Sequence, residues 1–384
     1  MKNSSDRILT THVGSLPRTQ AVVDVVFGRE AGLGEDRDES DAIIAKAVQA
    51  VVQRQAEIGI DVVSDGELSK ISYATYIKDR ITGFGGESFR EPAQDLLDFP
   101  GVLRRREESG NRSQAQPPRC IGEIQVKSMQ PLQTDLDNLK RGVKQAEPIE
   151  AFMNAAAPGV IALFQPNDYY PSHEAYLEAL AAAMQPEYEG IVAAGFLLQI
   201  DSPDIGMGRH TIFREKTDQE YLRLAALHIE VLNHALRNIP ADRVRLHVCW
   251  GNYEGPHHLD APMESVLPVA LRANAQALLF ESSNPRHAHE WTVFRDANIP
   301  DDRILIPGVI DSTTNFIEHP QLVAQRICRF ADIVGRERVM AGTDCGFGTF
   351  ADHGAVDADV VYAKLASLVE GAQIASRRLW KDAS

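Results

Sequence analysis

Short runs of β-branched and apolar residues alternate along the chain with longer stretches whose apolar positions recur at helical spacing. Eight runs predict strands: Leu9–Ser15, Asp61–Asp65, Gly159–Phe164, Phe196–Asp201, Arg243–Cys249, Ala277–Glu281, Ile304–Ile310 and Val339–Thr343. Between most of them lie helix-period segments such as Asp41–Ile58, Ser172–Ala194, Thr217–Arg237 and His319–Val334. Strand then helix, repeated, predicts an α/β fold of the (β/α)8 TIM-barrel type, with residues 1–384 forming one domain.

The residues able to do chemistry fall just after these strands. They are Ser15, Asp65 and Glu67, Asp201, His247 and Cys249, Glu281, Asp311, and Asp344 with Cys345. Barrel sites collect at the C-terminal ends of the strands, so the pattern predicts one site there. The stretch from about 82 to 158 breaks the repeat. It holds Gly83-Phe84-Gly85-Gly86, the run Arg104-Arg105-Arg106, a Gln/Ser/Pro-rich Ser113–Pro118 and an apolar alternation at Cys120–Val126. It reads as an inserted hairpin with a flexible tip, serving as a lid over the barrel mouth or as a subunit contact. The arginine run reads as a solvated tip.

Composition narrows the function. The chain carries 54 acidic and 39 basic residues, a net charge of −15, which argues against nucleic acid and anionic membranes as partners. No apolar run approaches a membrane span, and no apolar core follows Met1–Arg7, so a cytoplasmic protein is expected. Four cysteines do not make a disulfide framework in a chain this long. A homo-oligomer is left open.

His247 and Cys249 stand two apart on one strand, so their side chains share a face. Glu281 ends the next strand, and Cys345 follows the last one. One histidine, two thiols and a carboxylate suit Zn2+ with room for an incoming thiol, which zinc keeps deprotonated and nucleophilic. The bland alternative, four unrelated buried side chains, is weakened by their common placement at strand ends. Rival sets exist in loop contexts: His257-His258, and His287-x-His289 with Glu290, both read as surface residues. Cys120 and Cys328 lack companions.

A series of short motifs carries a further signal. Thr10–Arg18, Ser64-Asp65-Gly66-Glu67, Leu198–Pro203, His247-Val248-Cys249, Phe280-Glu281-Ser282-Ser283, Pro307–Asp311 and Thr343-Asp344-Cys345-Gly346 occur in that order. Together they resemble the catalytic, C-terminal half of the cobalamin-independent methionine synthase family, over most of the chain outside the insertion. The resemblance implies a zinc-bearing TIM barrel that moves a methyl group from a methyltetrahydrofolate-type donor to homocysteine. It implies His247, Cys249, Glu281 and Cys345 as zinc ligands, Glu67 and Asp201 as partners of an amino group, and Gly14 and Ser15 as the segment meeting a carboxylate. Asp311, or else His12, is expected to relay a proton.

The chain departs from the family pattern in three places. Asp201-Ser202-Pro203 lacks one acid, Thr313 stands where a histidine is expected, and Leu163-Phe164-Gln165-Pro166 lacks an expected tryptophan. The alternative is therefore a branch resembling epoxyalkane:coenzyme M transferase, in which a zinc-bound thiolate opens an epoxide. That reading needs a cation for a sulfonate, with Arg18, Lys70, Arg209 and Arg286 as candidates. Trp250, Tyr253, Tyr169 and Tyr170 are candidate aromatic contacts. A non-catalytic zinc-binding barrel is the remote alternative.

Overall fold

The computed structural model describes residues 1–33, 37–89, 91–108, 117–352 and 354–380. Eight parallel strands form the barrel: β1 (Leu9–Thr10), β2 (Val62–Val63), β3 (Glu150–Ala156), β4 (Leu197–Asp201), β5 (Val244–His247), β6 (Ala277–Phe280), β7 (Ile304–Ile310) and β8 (Met340–Thr343). Each pairs with its sequence neighbour, β8 pairs with β1, and a parallel bridge between Thr11 and Val62 joins β1 to β2. The (β/α)8 expectation holds.

Alternation along each strand sorts the side chains. Leu9, Val62, Phe152, Leu197, Leu279, Ile306 and Met340 pack together inside the barrel. Their neighbours Val63, Met153, Leu198, Leu278 and Leu305 join the larger core between barrel and helices. Val244 and Leu246 on β5, and Val248 just beyond it, take the outer face. Arg245 points inward, reaching Thr11 Oγ1 at 3.1 Å and the His12 carbonyl at 2.8 Å, with its guanidinium 3.9 Å from the centre of the Phe152 ring.

Several helices begin at side-chain caps. Ser172 Oγ accepts from the Ala175 N–H at the start of His173–Ala193. Thr217 and Glu220 form a capping box before Asp218–Ala235. Pro320 opens Pro320–Val334, and Gly335, at φ 89°, closes it. No helix of the described residues is long and apolar enough to cross a membrane.

The third strand differs from the expectation. Pro158–Phe164 is a fully buried helix, and the strand is the preceding Glu150–Ala156. A short apolar run does not distinguish a buried strand from a buried helix, and Pro158 at the first helical position decides for helix. The irregular segment is accordingly shorter than 82–158. Gln130–Ala146 is a helix whose Gly142 lies close against Val52 of the helix Arg37–Ile58. The remaining insert contains an antiparallel pair, Phe84–Gly85 with Arg119–Cys120, and two helices, Gln94–Leu97 and Pro100–Glu108. The Arg104–Arg106 run lies on the second of these. Most of the expected flexible tip, 113–116 of Ser113–Pro118, lies outside the described residues.

Candidate functional site

Continuing the inward alternation of Arg245 brings His247 and Cys249 to the barrel mouth, where Cys345 meets them from the end of β8. One donor atom from each of the three lies within 4.8 Å of the others. The two sulfurs are 3.7 Å apart, and all four cysteines are free. A disulfide needs about 2.05 Å, whereas two thiolates on one tetrahedral zinc stand about 3.8 Å apart for Zn–S bonds near 2.3 Å.

His247 Nδ1 meets Asp201 Oδ1 at 3.1 Å, and its buried Nε2 has no hydrogen-bond partner among the described residues. A carboxylate behind a histidine with its other nitrogen open is the outer-sphere arrangement metal-bound imidazoles use. The Gly251 N–H points at Cys249 Sγ, 3.3 Å away. These features fit a zinc-type ion. The hydrogen bond with Cys249, and the charge of the neighbouring His247, hold the Cys345 thiol below its ordinary value against the effect of burial.

Glu281 stands apart from the trio. Its Oε1 accepts the Trp250 N–H at 2.9 Å, and its Oε2 accepts from Asn284 at 2.7 Å and from Arg286. Asp344 braces this region by accepting from the Ser282, Ser283 and Asn284 backbone N–H groups, which ties the β6 and β8 loops together.

A cavity of about 280 Å³ opens over the trio. Ser15, Glu67 and Asp201 line it beside the three donors, and Phe164, Met207 and Phe350 supply apolar wall. Leu96, Leu103 and Arg106 of the insert line it as well. Glu67 has the left-handed φ of 55°, a conformation that costs a non-glycine residue of order 1–3 kcal/mol. Its carboxylate has no hydrogen bond among the described residues. Burial pushes its pKa up to about 7 although Lys70 pulls the other way, and Asp201 and Asp65 add to the rise. Asp201 is more committed, accepting from Asn154 Nδ2 at 2.8 Å and Gln199 Nε2 at 3.0 Å as well as meeting His247.

Gly14 is required by packing, because a Cβ there would sit 2.4 Å from the Asn154 amide oxygen. Ser15 Oγ accepts the Gly348 N–H at 3.2 Å and lines the cavity. Gly346 permits this, since its Cβ would lie 2.1 Å from that hydroxyl.

Several expected residues serve elsewhere. Asp311 spends both oxygens on Thr313 and Thr314 and is absent from the cavity lining. His12 is buried against Gln55 at 2.7 Å, and burial, aided by Arg245, pulls it down to about 4. Arg18 clamps the carbonyls of Gly348, Glu67 and Lys70. Lys70 donates to the Asn154 carbonyl at 2.7 Å, and Arg209 pairs with Asp218 at 2.7 Å. Trp250 is fully buried with its indole N–H on the Ala261 carbonyl. Tyr253 does line the cavity, donating its hydroxyl to Asp95 of the insert. Of the other aromatic candidates, Tyr169 is exposed, and Tyr170 stacks on Tyr176 away from the lining. His257 and His287 are buried rather than on the surface, while His258 and His289 are exposed. Asn154, which bridges the Val13 carbonyl and Asp201, escaped the sequence reading because the strand that carries it did.

The sequence profile of the family described as cobalamin-independent synthase, catalytic domain, matches residues 8–91 and 140–372. Methionine synthase of Saccharolobus solfataricus is 24% identical over 373 residues, covering 96% of this chain and 95% of that protein. Methionine synthase of Sulfolobus acidocaldarius is 25% identical over 374 residues, covering 97% and 93%. Among solved structures, a B12-independent methionine synthase from Shewanella sp. W3-18-1 in complex with selenomethionine superposes with a TM-score of 0.74 at 20% identity, covering 98% of this chain and 99% of that one. The chain belongs to the cobalamin-independent synthase catalytic-domain family.

Proposed function

We propose that the protein is a zinc-dependent methyltransferase that moves a methyl group from a methyltetrahydrofolate-type donor to homocysteine. The observation that carries this reading is the convergence of His247, Cys249 and Cys345 at the floor of a cavity that also exposes Glu67 and Ser15. The methionine synthases of similar length support it.

His247, Cys249 and Cys345 would hold the zinc, which would lower the pKa of an incoming thiol. Glu67 receives the ammonium group, and Ser15 with the neighbouring backbone receives the carboxylate. Asp201 fixes the tautomer and orientation of His247 and adds negative charge on the ammonium side. The apolar wall and the insert exclude water from the sulfur, with the insert acting as a lid. Glu281, the fourth ligand implied by family resemblance, would have to leave Arg286 to join the set. The coenzyme M alternative is less favoured, because Arg18, Lys70, Arg209 and Arg286 are all committed to carbonyl or carboxylate partners.

Zinc-edge X-ray absorption with and without homocysteine tests the reading, alongside methionine formation from methyltetrahydrofolate. The expected result is one added sulfur in the zinc shell and turnover. An unchanged shell with no methionine formed overturns it.

A further inference from the structure

The barrel rim carries a second convergent donor set that methyl transfer leaves unused. His210 ends a short turn after β4, His257 and Asp260 lie on the loop after β5, and His287 lies on the loop after β6. The histidines are 1%, 4% and 3% exposed, and the Asp260 side chain is 7% exposed. All three rings point a nitrogen at Asp260. His210 Nδ1 is 3.3 Å and His257 Nδ1 3.1 Å from Oδ1, and His287 Nε2 is 3.1 Å from Oδ2. Zinc bonded tetrahedrally to nitrogen and oxygen at 2.0–2.1 Å separates its donors by about 3.3 Å.

The outer nitrogens decide what the inner ones offer. His257 Nε2 lies 3.0 Å from the Tyr253 carbonyl, which can only accept, so that nitrogen carries the proton. His210 Nε2 lies 3.4 Å from the Tyr253 hydroxyl, whose own proton goes to Asp95 at 2.7 Å, so this nitrogen is also the donor. The inner nitrogens of neutral His210 and His257 are therefore lone pairs facing a carboxylate. The buried Nδ1 of His210 has no hydrogen-bond partner among the described residues. His287 Nδ1 is backed by Glu290 at 2.6 Å. Lone pairs aimed at an anion repel unless positive charge stands between them, and an oxygen acceptor behind each imidazole is the outer shell of a metal ligand. His257 also holds a left-handed φ of 51°, backbone strain that turns its ring into the cluster.

We propose that His210, His257 and Asp260 form a second metal site, for a divalent transition ion of the zinc class, with His287 holding Asp260 in place from outside the donor set. The donor side chains are nearly closed off from solvent, so the site is structural. The ion fastens the three rim loops together. Asp95, which accepts both the Tyr253 hydroxyl and the His257 N–H, extends that fastening to the insert.

Titrating the metal-stripped full chain with Co2+ tests this without relying on turnover. The cysteine centre gives an intense sulfur-to-cobalt charge-transfer band, whereas an N/O site gives only weaker visible bands. The expected result is about two equivalents per chain, one with the sulfur band and one without. Cys249→Ser/Cys345→Ser should retain the N/O equivalent and still gain thermal stability on zinc addition, whereas His210→Gln/Asp260→Asn should retain only the sulfur band. Saturation of the unaltered chain at the sulfur-bound equivalent overturns the second site, and absence of the sulfur band overturns the transferase reading instead.

Discussion

The cysteine trio and the imidazole cluster occupy the same rim of the same barrel, yet they differ in donors and in access. The trio uses two sulfurs and a nitrogen and lies open to the cavity. The cluster uses nitrogen and oxygen and is closed over by Tyr253 and the insert. Anionic sulfur lowers the effective charge of a bound ion, which suits holding a nucleophilic thiol and suits activating water poorly. The cluster's converging donors, two nitrogens and an oxygen, are buried and lie off the cavity lining. On the proposed reading, one barrel end would hold a reactive centre and a structural one, differing in donor type and in access.

The sharpest way to break the comparison is Cys345→Ser. Removing one sulfur should abolish stable metal binding at the cavity floor and lower methyl transfer by roughly a thousandfold or more, about 4 kcal/mol. The proposed N/O site should be untouched. Metal content and single-turnover methyl transfer check both halves. Near-full activity in this variant would move the chemistry away from the cavity floor.

Glu67→Gln comes next. Losing a charged partner for an ammonium group should raise KM for homocysteine by about 10–100-fold with a smaller fall in kcat. In the unaltered enzyme the Glu67 carboxyl is pushed up to about 7, mainly by burial. KM should therefore climb as pH falls below that value, and the variant should lose this limb. Stability runs the other way. The folded chain holds the Glu67 proton more tightly than the unfolded chain, so its contribution is fully present below the ordinary 4.5 and is lost as pH rises through about 7. Glu67→Gln should raise the melting temperature at pH 8 but not at pH 4. Thermal scans at the two pH values, with KM profiles, check the assignment.

Tyr253→Phe sharpens the boundary between the centres. It removes one hydrogen bond to Asp95 and leaves the His257 N–H as that carboxylate's remaining rim partner among the described residues. The expected cost is about 1 kcal/mol of stability and a severalfold rise in KM as the insert loosens. Equilibrium denaturation and steady-state kinetics would register it, and an unchanged KM would separate the insert from catalysis.

What the sequence revealed follows the same division. Strand periodicity made seven of the eight strands and the trio legible, because two residues at strand spacing must share a face and strand ends in a barrel must gather. Glu150–Ala156 was hidden because its alanines carry little strand signal while Val160–Phe164 carries a strong apolar one. With that strand went Asn154, which orders Val13, Gly14 and Asp201 around the cavity. The imidazole cluster was hidden for another reason. Its residues come from three loops, and the neighbours that flagged two of them, His258 and His289, are exposed. Nothing in loop spacing announces that His210, His257, His287 and Asp260 meet.

Asp311 carries the smallest expected effect and bears on where the proton goes. The sequence places it as a relay at a strand end, whereas the folded chain turns it into a cap for its own loop. Oδ1 accepts the Thr313 N–H at 2.9 Å and its hydroxyl at 2.8 Å, and Oδ2 accepts the Thr314 hydroxyl at 2.7 Å. A carboxylate satisfied by three local donors and absent from the cavity lining is engaged with its own loop rather than with the cavity. Asp311→Asn keeps one acceptor oxygen for those donors, so it should cost about 1 kcal/mol of stability and change kcat less than about threefold. If a limb of the kcat–pH profile vanished with this variant, Asp311 would regain the relay role, and the site would have to open further toward β7 than its hydrogen bonds indicate.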